Sequence, residues 1–162
     1  MTTHKDIAHV WDMVENIGIC MLVSREGEVM RSRPMAAYFD REEEMLYFLT
    51  DVASHKDEEI ARNPHVTLAF ADTSKQDYVS LTGLAEISND REKIRELWAT
   101  PAKAWWDSPD DPSIRVLKIT PQDAQYWDGP GTAVAYFKMA AAAFTSAKPD
   151  LGESRKVDFK GH

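Results

Sequence analysis

Apolar residues follow a helical rhythm at both ends of the chain and the shorter rhythm of strands between them. In residues 6–17 they recur three or four positions apart, which predicts an amphipathic helix with one buried face, capped by Thr2 or Thr3. The Ala-rich residues 132–147 predict a second long helix. Two shorter helices are expected at residues 54–63 and 91–98.

Strands fill the middle of the chain. Hydrophobic runs bounded by turn residues predict six of them, at residues 17–24, 29–39, 45–50, 65–71, 78–87 and 114–127. Gly27 suits a tight turn between the first two strands, and Pro34 indicates a bulge or an edge because proline cannot donate to a ladder. Sequential hairpins favour a mainly β fold with short helices (α+β), in which six antiparallel strands form a small closed or half-closed barrel. We expect a single domain over residues 1–147 and a loose polar C-terminal tail over residues 148–162.

Composition narrows the possible partners and location. The chain has 162 residues, about one domain, and a net charge of −8 that repels nucleic-acid phosphates and acidic membranes, so neither is expected as a partner. No apolar run is long enough to span a membrane and the N-terminus lacks the apolar core of a signal peptide, which leads us to expect a cytoplasmic protein. Cys20 lies in a buried-strand pattern and is interpreted as a core residue, and the scattered histidines predict no metal site.

Three basic residues stand out against this acidic background. Arg31 and Arg33 lie within a predicted strand, and Lys56 lies at a predicted helix start, where a cation is disfavoured unless an anion is bound. Guanidinium and ammonium groups at such a place suit a phosphate. Alternatively, Arg33 could pair with an acid such as Glu86, and Arg31 could be a charge at the rim.

Several segments match a known family in their order and spacing. They are residues 33–38 (RPMAAY), 47–50 (YFLT), 54–56 (SHK), 63–66 (NPHV), 83–86 (GLAE) and 126–131 (YWDGPG). With these segments the chain resembles the FMN-binding split-barrel family that includes pyridoxamine 5′-phosphate oxidase, and within it the general stress proteins. The resemblance implies a six-stranded antiparallel split β-barrel, a homodimer, and FMN bound at the subunit interface.

The resemblance also implies a set of cofactor-binding residues. Arg33 and Lys56 would hold the FMN phosphate, and the backbone of the two residues after Arg33 would run along the flavin ring. A tryptophan at position 127 would come from the partner subunit. The whole expected cofactor set is Arg33, Pro34, Met35, Leu49, Thr50, Ser54, His55, Lys56 and Trp127.

The chain also departs from the oxidase at the residues that contact substrate. Tyr38 stands where the oxidase has a lysine, and Ala133 and Ala135 stand where it has an arginine and a histidine. The resemblance therefore supports flavin binding and argues against oxidation of pyridoxamine phosphate. Trp105 and Trp106 are interpreted as core or interface residues, at least one of them by ordinary packing.

Together these features favour an FMN-dependent oxidoreductase whose substrate, redox partner and catalytic residues the sequence does not identify. Two other interpretations stay open. The protein could hold flavin without turnover, as a storage or sensing module, because the substrate-contacting residues of the oxidase are missing. The same barrel could instead take a deazaflavin or haem. Fold alone does not decide among these functions.

Overall fold

The computed structural model describes residues 2–54, 56–145, 148 and 152–159. Its helices are α1 (His4–Ile17), α2 (Lys56–Arg62), α3 (Arg91–Leu97), α4 (Thr100–Lys103) and α5 (Thr132–Thr145), with a 3-10 turn at Val52–Ser54. Its strands are β1 (Ile19–Glu26), β2 (Val29–Ala36), β3 (Tyr38–Asp40), β4 (Met45–Asp51), β5 (His65–Asp72), β6 (Asp77–Ser88), β7 (Ile114–Asp128) and β8 (Glu153–Asp158).

The strands form one antiparallel sheet in the order β2-β1-β5-β6-β7-β4-β3, and β8 adds to β7. The predicted mainly β architecture with short helices is confirmed. The predicted count of six strands is wrong, because the described part of the chain contains eight. The hydrogen-bonded sheet is not closed, since β2 and β3 lie at its two ends, yet only Ala37 separates these strands along the chain.

One predicted strand, at residues 29–39, is divided because its two halves pair with different partners. β2 pairs with β1, whereas β3 pairs with β4. Between them, the backbone N–H of Ala37 donates to the carbonyl oxygen of Gly18 at 2.9 Å. The chain therefore passes from one end of the sheet to the other at this residue, next to the motif that carries Arg33.

The C-terminal segment is the second departure from the expected fold. β8 pairs with β7 over six residue pairs, so the expectation of a loose tail is wrong for this strand. Val157 and Phe159 are both buried in the core. Arg155 donates to the Asp6 carboxylate of α1 at 2.7 Å, which ties the strand to the first helix. The segment is mostly polar, but its two buried apolar side chains lie two positions apart, which is the period of a strand.

α1 forms as its pattern predicts. Thr3 is its N-cap: the Asp6 backbone N–H donates to the Thr3 hydroxyl, and the Thr3 backbone N–H donates to the Asp6 carboxylate in return. Its apolar face, which includes Val10 and Val14, lies in the main core with the inner face of the sheet. Cys20 is buried in the same core, and burial raises the pKa of its thiol to about 12, as a structural cysteine requires.

A second, smaller core lies between the sheet and the short helices. It contains Leu49 of β4, Val116 of β7, Ile94 of α3 and Ala102 of α4, with Trp106 packed at its margin. This core fixes the short helices against the end of β4 and so shapes the pocket described below. None of the helices in the described ranges is long and apolar enough to cross a membrane.

Candidate functional site

A pocket of about 300 Å³ lies where the junction of β2 and β3 faces the end of β4 and the segment after α4. This volume is at the lower end of the range for small-molecule sites. Most of the lining is apolar or aromatic. The lining residues are Arg33, Pro34, Met35, Ala36, Tyr38, Leu49, Thr50, Asp51, Ala102, Trp105 and Trp106.

Five of the nine residues expected to bind the cofactor line this one pocket. Arg33, Pro34 and Met35 come from the end of β2, and Leu49 and Thr50 come from the end of β4. The two segments are separate in sequence and meet because the sheet brings its ends together. Their role in binding stays a prediction, but their expected proximity is found.

Arg33 is the distinctive charged group of the pocket. Its side chain is half-buried, and its guanidinium makes no ion pair or hydrogen bond with any residue that the structure describes. The alternative pairing with Glu86 does not occur. Arg31 differs, because it is exposed and lies 3.3 Å from the Glu26 carboxylate. Among the described residues, Arg33 is therefore an unpaired cation in the pocket, whereas Arg31 is a paired charge at the rim.

The remaining expected residues lie outside this lining or outside the described side chains. Ser54 ends the 3-10 turn after β4 and Lys56 begins α2, so the helix starts two residues later than expected. The side chains of these two residues, and the whole of His55, lie outside the described parts of the chain. Trp127 lies on β7 opposite Tyr78, half-exposed, and does not line the pocket of its own subunit.

Asp51 is a pocket residue that sequence reasoning missed. Its carboxylate accepts hydrogen bonds from the Ala53 backbone N–H at 2.8 Å, the Ser113 hydroxyl at 3.0 Å and the Trp106 indole N–H at 3.2 Å. The bond from Ala53, followed by those from the indole and the hydroxyl, holds the pKa of this carboxyl below its ordinary value. Asp51 is therefore an anion that holds the wall of the pocket in place.

The adjacent tryptophans have different environments. Trp106 is half-buried and anchored through Asp51, whereas Trp105 is 81% exposed although it lines the pocket. Trp106 packs against the smaller core, as expected for at least one of the two tryptophans. Trp105 is largely exposed in a single subunit, and its alternative place at an interface stays a prediction.

The substrate-contacting positions of the oxidase carry no charged side chain here. Ala133 and Ala135 lie on α5, where the first is exposed and the second is buried. Tyr38, in place of the oxidase lysine, lines the pocket, and burial raises the pKa of its phenol above the ordinary value of 10.0. Its hydroxyl is therefore a neutral hydrogen-bond donor at physiological pH.

Comparison with known proteins shows the family to which the chain belongs. The family model described as pyridoxamine 5′-phosphate oxidase like matches residues 5–150. The chain belongs to this family. Within it, general stress protein 26 of Bacillus subtilis (strain 168) is 33% identical over 100 residues, which cover 59% of this chain and 71% of that protein.

Solved structures support the same family assignment. One from Jannaschia sp. CCS1, given as a candidate general stress protein 26, is 30% identical, with a TM-score of 0.77 over 96% of this chain and 99% of that one. Another, the general stress FMN/FAD binding protein of Xanthomonas citri, is 21% identical, with a TM-score of 0.68 over 78% of this chain and 90% of that one. At that identity the second similarity shows a shared fold, and the flavin is a property of the Xanthomonas protein.

Proposed function

We propose that this family member binds FMN in the pocket at the junction of β2 and β3 and acts as an oxidoreductase on a small redox partner. The observation that carries the proposal is the Arg33 guanidinium, half-buried in a mostly apolar pocket and without a partner among the described residues. A half-buried cation among apolar side chains favours an anionic ligand, and a bound phosphate would supply its counter-charge. The flavin-binding Xanthomonas protein with the same fold adds support.

The residues of the chain would divide the work of binding. Arg33 would bind the phosphate together with Lys56, with Ser54 and His55 beside it, and the apolar strand ends would lie along the flavin ring. Bound FMN would supply the electron or hydride transfer, which no side chain of the pocket can provide. The protein's own contribution is to orient the ring, to limit access of water on one side and to leave the other side open for the redox partner.

A homodimer with the cofactor at the interface is part of the proposal. β1 exposes Ile19 and Met21, and further along the sheet Tyr78 of β6 and its pairing partner Trp127 of β7 are exposed as well. α5 adds large exposed apolar side chains, of which Phe144 is 90% exposed. Monomeric soluble proteins rarely leave so much apolar surface in water, so a second copy of the chain would cover it. Trp127 would then reach the partner's flavin.

A second function, flavin binding without turnover, is favoured by one specific observation. The positions that carry the substrate arginine and histidine in the oxidase are alanines on α5, and one of them is buried. A site without these two substrate-contacting side chains would suit storage or sensing as well as a reaction that does not need them. Reduction of the bound flavin by chemical donors and re-oxidation by acceptors separates the two functions.

The visible absorption spectrum of the purified protein tests the proposal. The protein is purified without added cofactor, and the spectrum is measured again after mixing with FMN and gel filtration. We expect a retained flavin spectrum with one flavin for each subunit, and release by denaturation followed by chromatography would distinguish FMN from FAD. A folded protein that retains no flavin would contradict the proposal and favour a deazaflavin or haem.

A further inference from the structure

Four residues of the pocket lining differ from Arg33 in their chemistry. They are Tyr38, Ala102, Trp105 and Trp106, and none of these side chains is charged at neutral pH. Asp51 is the one acidic residue among the described lining residues. Its carboxylate oxygens already accept hydrogen bonds from Ala53, Trp106 and Ser113. If FMN phosphate takes Arg33, a second anion in the pocket would find no counter-charge among the described lining residues.

The backbone of the two adjacent tryptophans is held by hydrogen bonds, although the Trp105 side chain is exposed. The backbone N–H groups of Trp105 and Trp106 both donate to the carbonyl oxygen of Ala102, at 3.0 and 3.1 Å. Ala102 is buried in the smaller core. The position of the Trp105 backbone is therefore fixed by the core and not by the exposed loop that follows it.

That loop is fixed independently by one arginine. Arg91 of α3 donates to the carbonyl oxygens of Pro109 and Asp111 at 2.8 Å each, and to that of Ile114 at 3.2 Å. Three bonds from one guanidinium hold residues 109–114 against the helix. Because the backbone around Trp105 is restrained, only the side-chain torsions of its indole would have to be ordered when a ligand stacks on it.

We propose, on the basis of the proposed flavin site, that Trp105 and Tyr38 form a subsite for a neutral planar aromatic carbonyl compound. Its ring system would stack on the exposed indole of Trp105, and its carbonyl oxygen would accept a hydrogen bond from the Tyr38 hydroxyl. Stacking on an aromatic face favours a planar ligand, and the described lining residues include no cation besides Arg33, which disfavours an anionic ligand. Trp106 is a positioning residue, because its hydrogen bonds to Asp51 and to the backbone of Ala102 hold this part of the pocket lining in place.

The phenol of Tyr38 fits this assignment. Among the described residues, the Tyr38 hydroxyl has no hydrogen-bond partner, and the residue lines the pocket half-buried. Burial raises the pKa of this phenol, so the hydroxyl stays protonated and can donate a hydrogen bond to an acceptor oxygen. A half-buried hydroxyl that lines a pocket can donate to a ligand oxygen in place of water.

A matched pair of ligands tests the subsite without depending on turnover. 2-Acetylnaphthalene is planar, neutral and carries a carbonyl oxygen, whereas 2-naphthoate has the same rings and a negative charge. Binding of each to the FMN-loaded protein is measured by equilibrium dialysis. We expect 2-acetylnaphthalene to bind at least about tenfold more tightly than 2-naphthoate. Equal binding, or tighter binding of 2-naphthoate, would overturn the proposal.

Variants then identify the side chains that bind 2-acetylnaphthalene. Trp105→Ala should weaken 2-acetylnaphthalene binding about tenfold, Trp105→Phe should restore most of it, and Tyr38→Phe should weaken it about fivefold. Met30→Ala, which removes an exposed apolar side chain outside the pocket, should have no effect. Unchanged binding in Trp105→Ala, or loss of FMN from that variant, would show that the indole does not serve this ligand.

The flavin proposal can fail separately. FMN retention is measured for the parent and every variant in parallel. If the parent holds FMN but Trp105→Ala binds 2-acetylnaphthalene like the parent, only the subsite is wrong. If the parent holds no FMN, the same titration of the flavin-free parent and Trp105→Ala decides the subsite: a tenfold loss supports it, and an unchanged affinity overturns it.

Discussion

The indole N–H of Trp106 donates to the carboxylate of Asp51 across 55 positions of sequence, with 3.2 Å between the nitrogen and the oxygen. The same carboxylate also accepts from the Ser113 hydroxyl at the start of β7. The end of β4, the segment after α4 and the start of β7 therefore meet at one anion. This relationship makes the pocket wall part of the fold and not a loose surface loop.

Removing the Asp51 carboxylate should release Trp106. In Asp51→Ala the indole loses its acceptor, whereas Asp51→Asn keeps a side-chain oxygen that can accept. We expect the Trp106 indole cross-peak in a ¹H–¹⁵N spectrum, assigned with Trp106→Phe, to move toward the position of an exposed indole in Asp51→Ala. The shift should be much smaller in Asp51→Asn. A peak that does not move in Asp51→Ala would show that the hydrogen bond does not form in solution.

The two arginines of β2 should respond differently to truncation. Arg33→Ala removes the guanidinium of the pocket, which has no partner among the described residues, and should weaken FMN binding about 10- to 100-fold, as expected for a hydrogen bond to a charged group. Arg31→Ala removes the matched rim arginine, which is paired with Glu26, and should leave the affinity within about twofold. Fluorescence titration with FMN measures both. Circular dichroism should remain like that of the parent, and equal affinities for the two variants would place the phosphate elsewhere.

Trp127 should report on the partner's flavin if the protein is the proposed dimer. Because indoles quench flavin fluorescence on contact, Trp127→Ala should raise the emission of bound FMN, and Trp127→Phe should raise it less. Dilution of the parent toward the monomer should raise it as well, since Trp127 does not line the pocket of its own subunit. Emission that is independent of both changes would assign this indole to packing alone.

The Asp6 carboxylate should contribute to how the stability of the folded protein changes at acidic pH. Hydrogen bonds from the Thr3 hydroxyl, the Thr3 backbone and Arg155 lower its folded-state pKa from 3.8 to about 2. The unfolded state then binds more protons between these values, so the contribution is present above pH ~4 and is lost as the pH falls toward 2. Asp6→Asn should lower the Tm at neutral pH and make the Tm less dependent on pH in that window.

The matched control for this titration is Asp12→Asn, the same change at an exposed carboxylate of the same helix. Its Tm should follow that of the parent in parallel from neutral to acidic pH, because a surface ion pair contributes little. If Asp6→Asn and the parent lose stability equally on acidification, the capping network of α1 does not control the acid response.

Local patterns were enough for the elements that depend on neighbours in sequence. The capping box of Thr3 and Asp6 and the turn at Gly27, which adopts a positive φ of 62°, both follow from residue type and spacing alone. The buried thiol of Cys20 follows from strand alternation. The cofactor motif around Arg33 came from resemblance, and its proximity to the end of β4 is a result of the sheet.

What the sequence by itself determined is the class of the fold, the place of most elements and the family, because hydrophobic periodicity, caps and turn residues act over a few positions. Only the tertiary structure decided that β2 and β3 separate at Ala37 and that β8 joins the sheet. It also decided that Arg31 pairs with Glu26, whereas Arg33 has no partner in the part of the chain that the structure describes. These outcomes depend on which strands pair and which charges meet across distant segments. Such choices are made by burial and hydrogen bonding in the assembled core, which no local window of sequence contains.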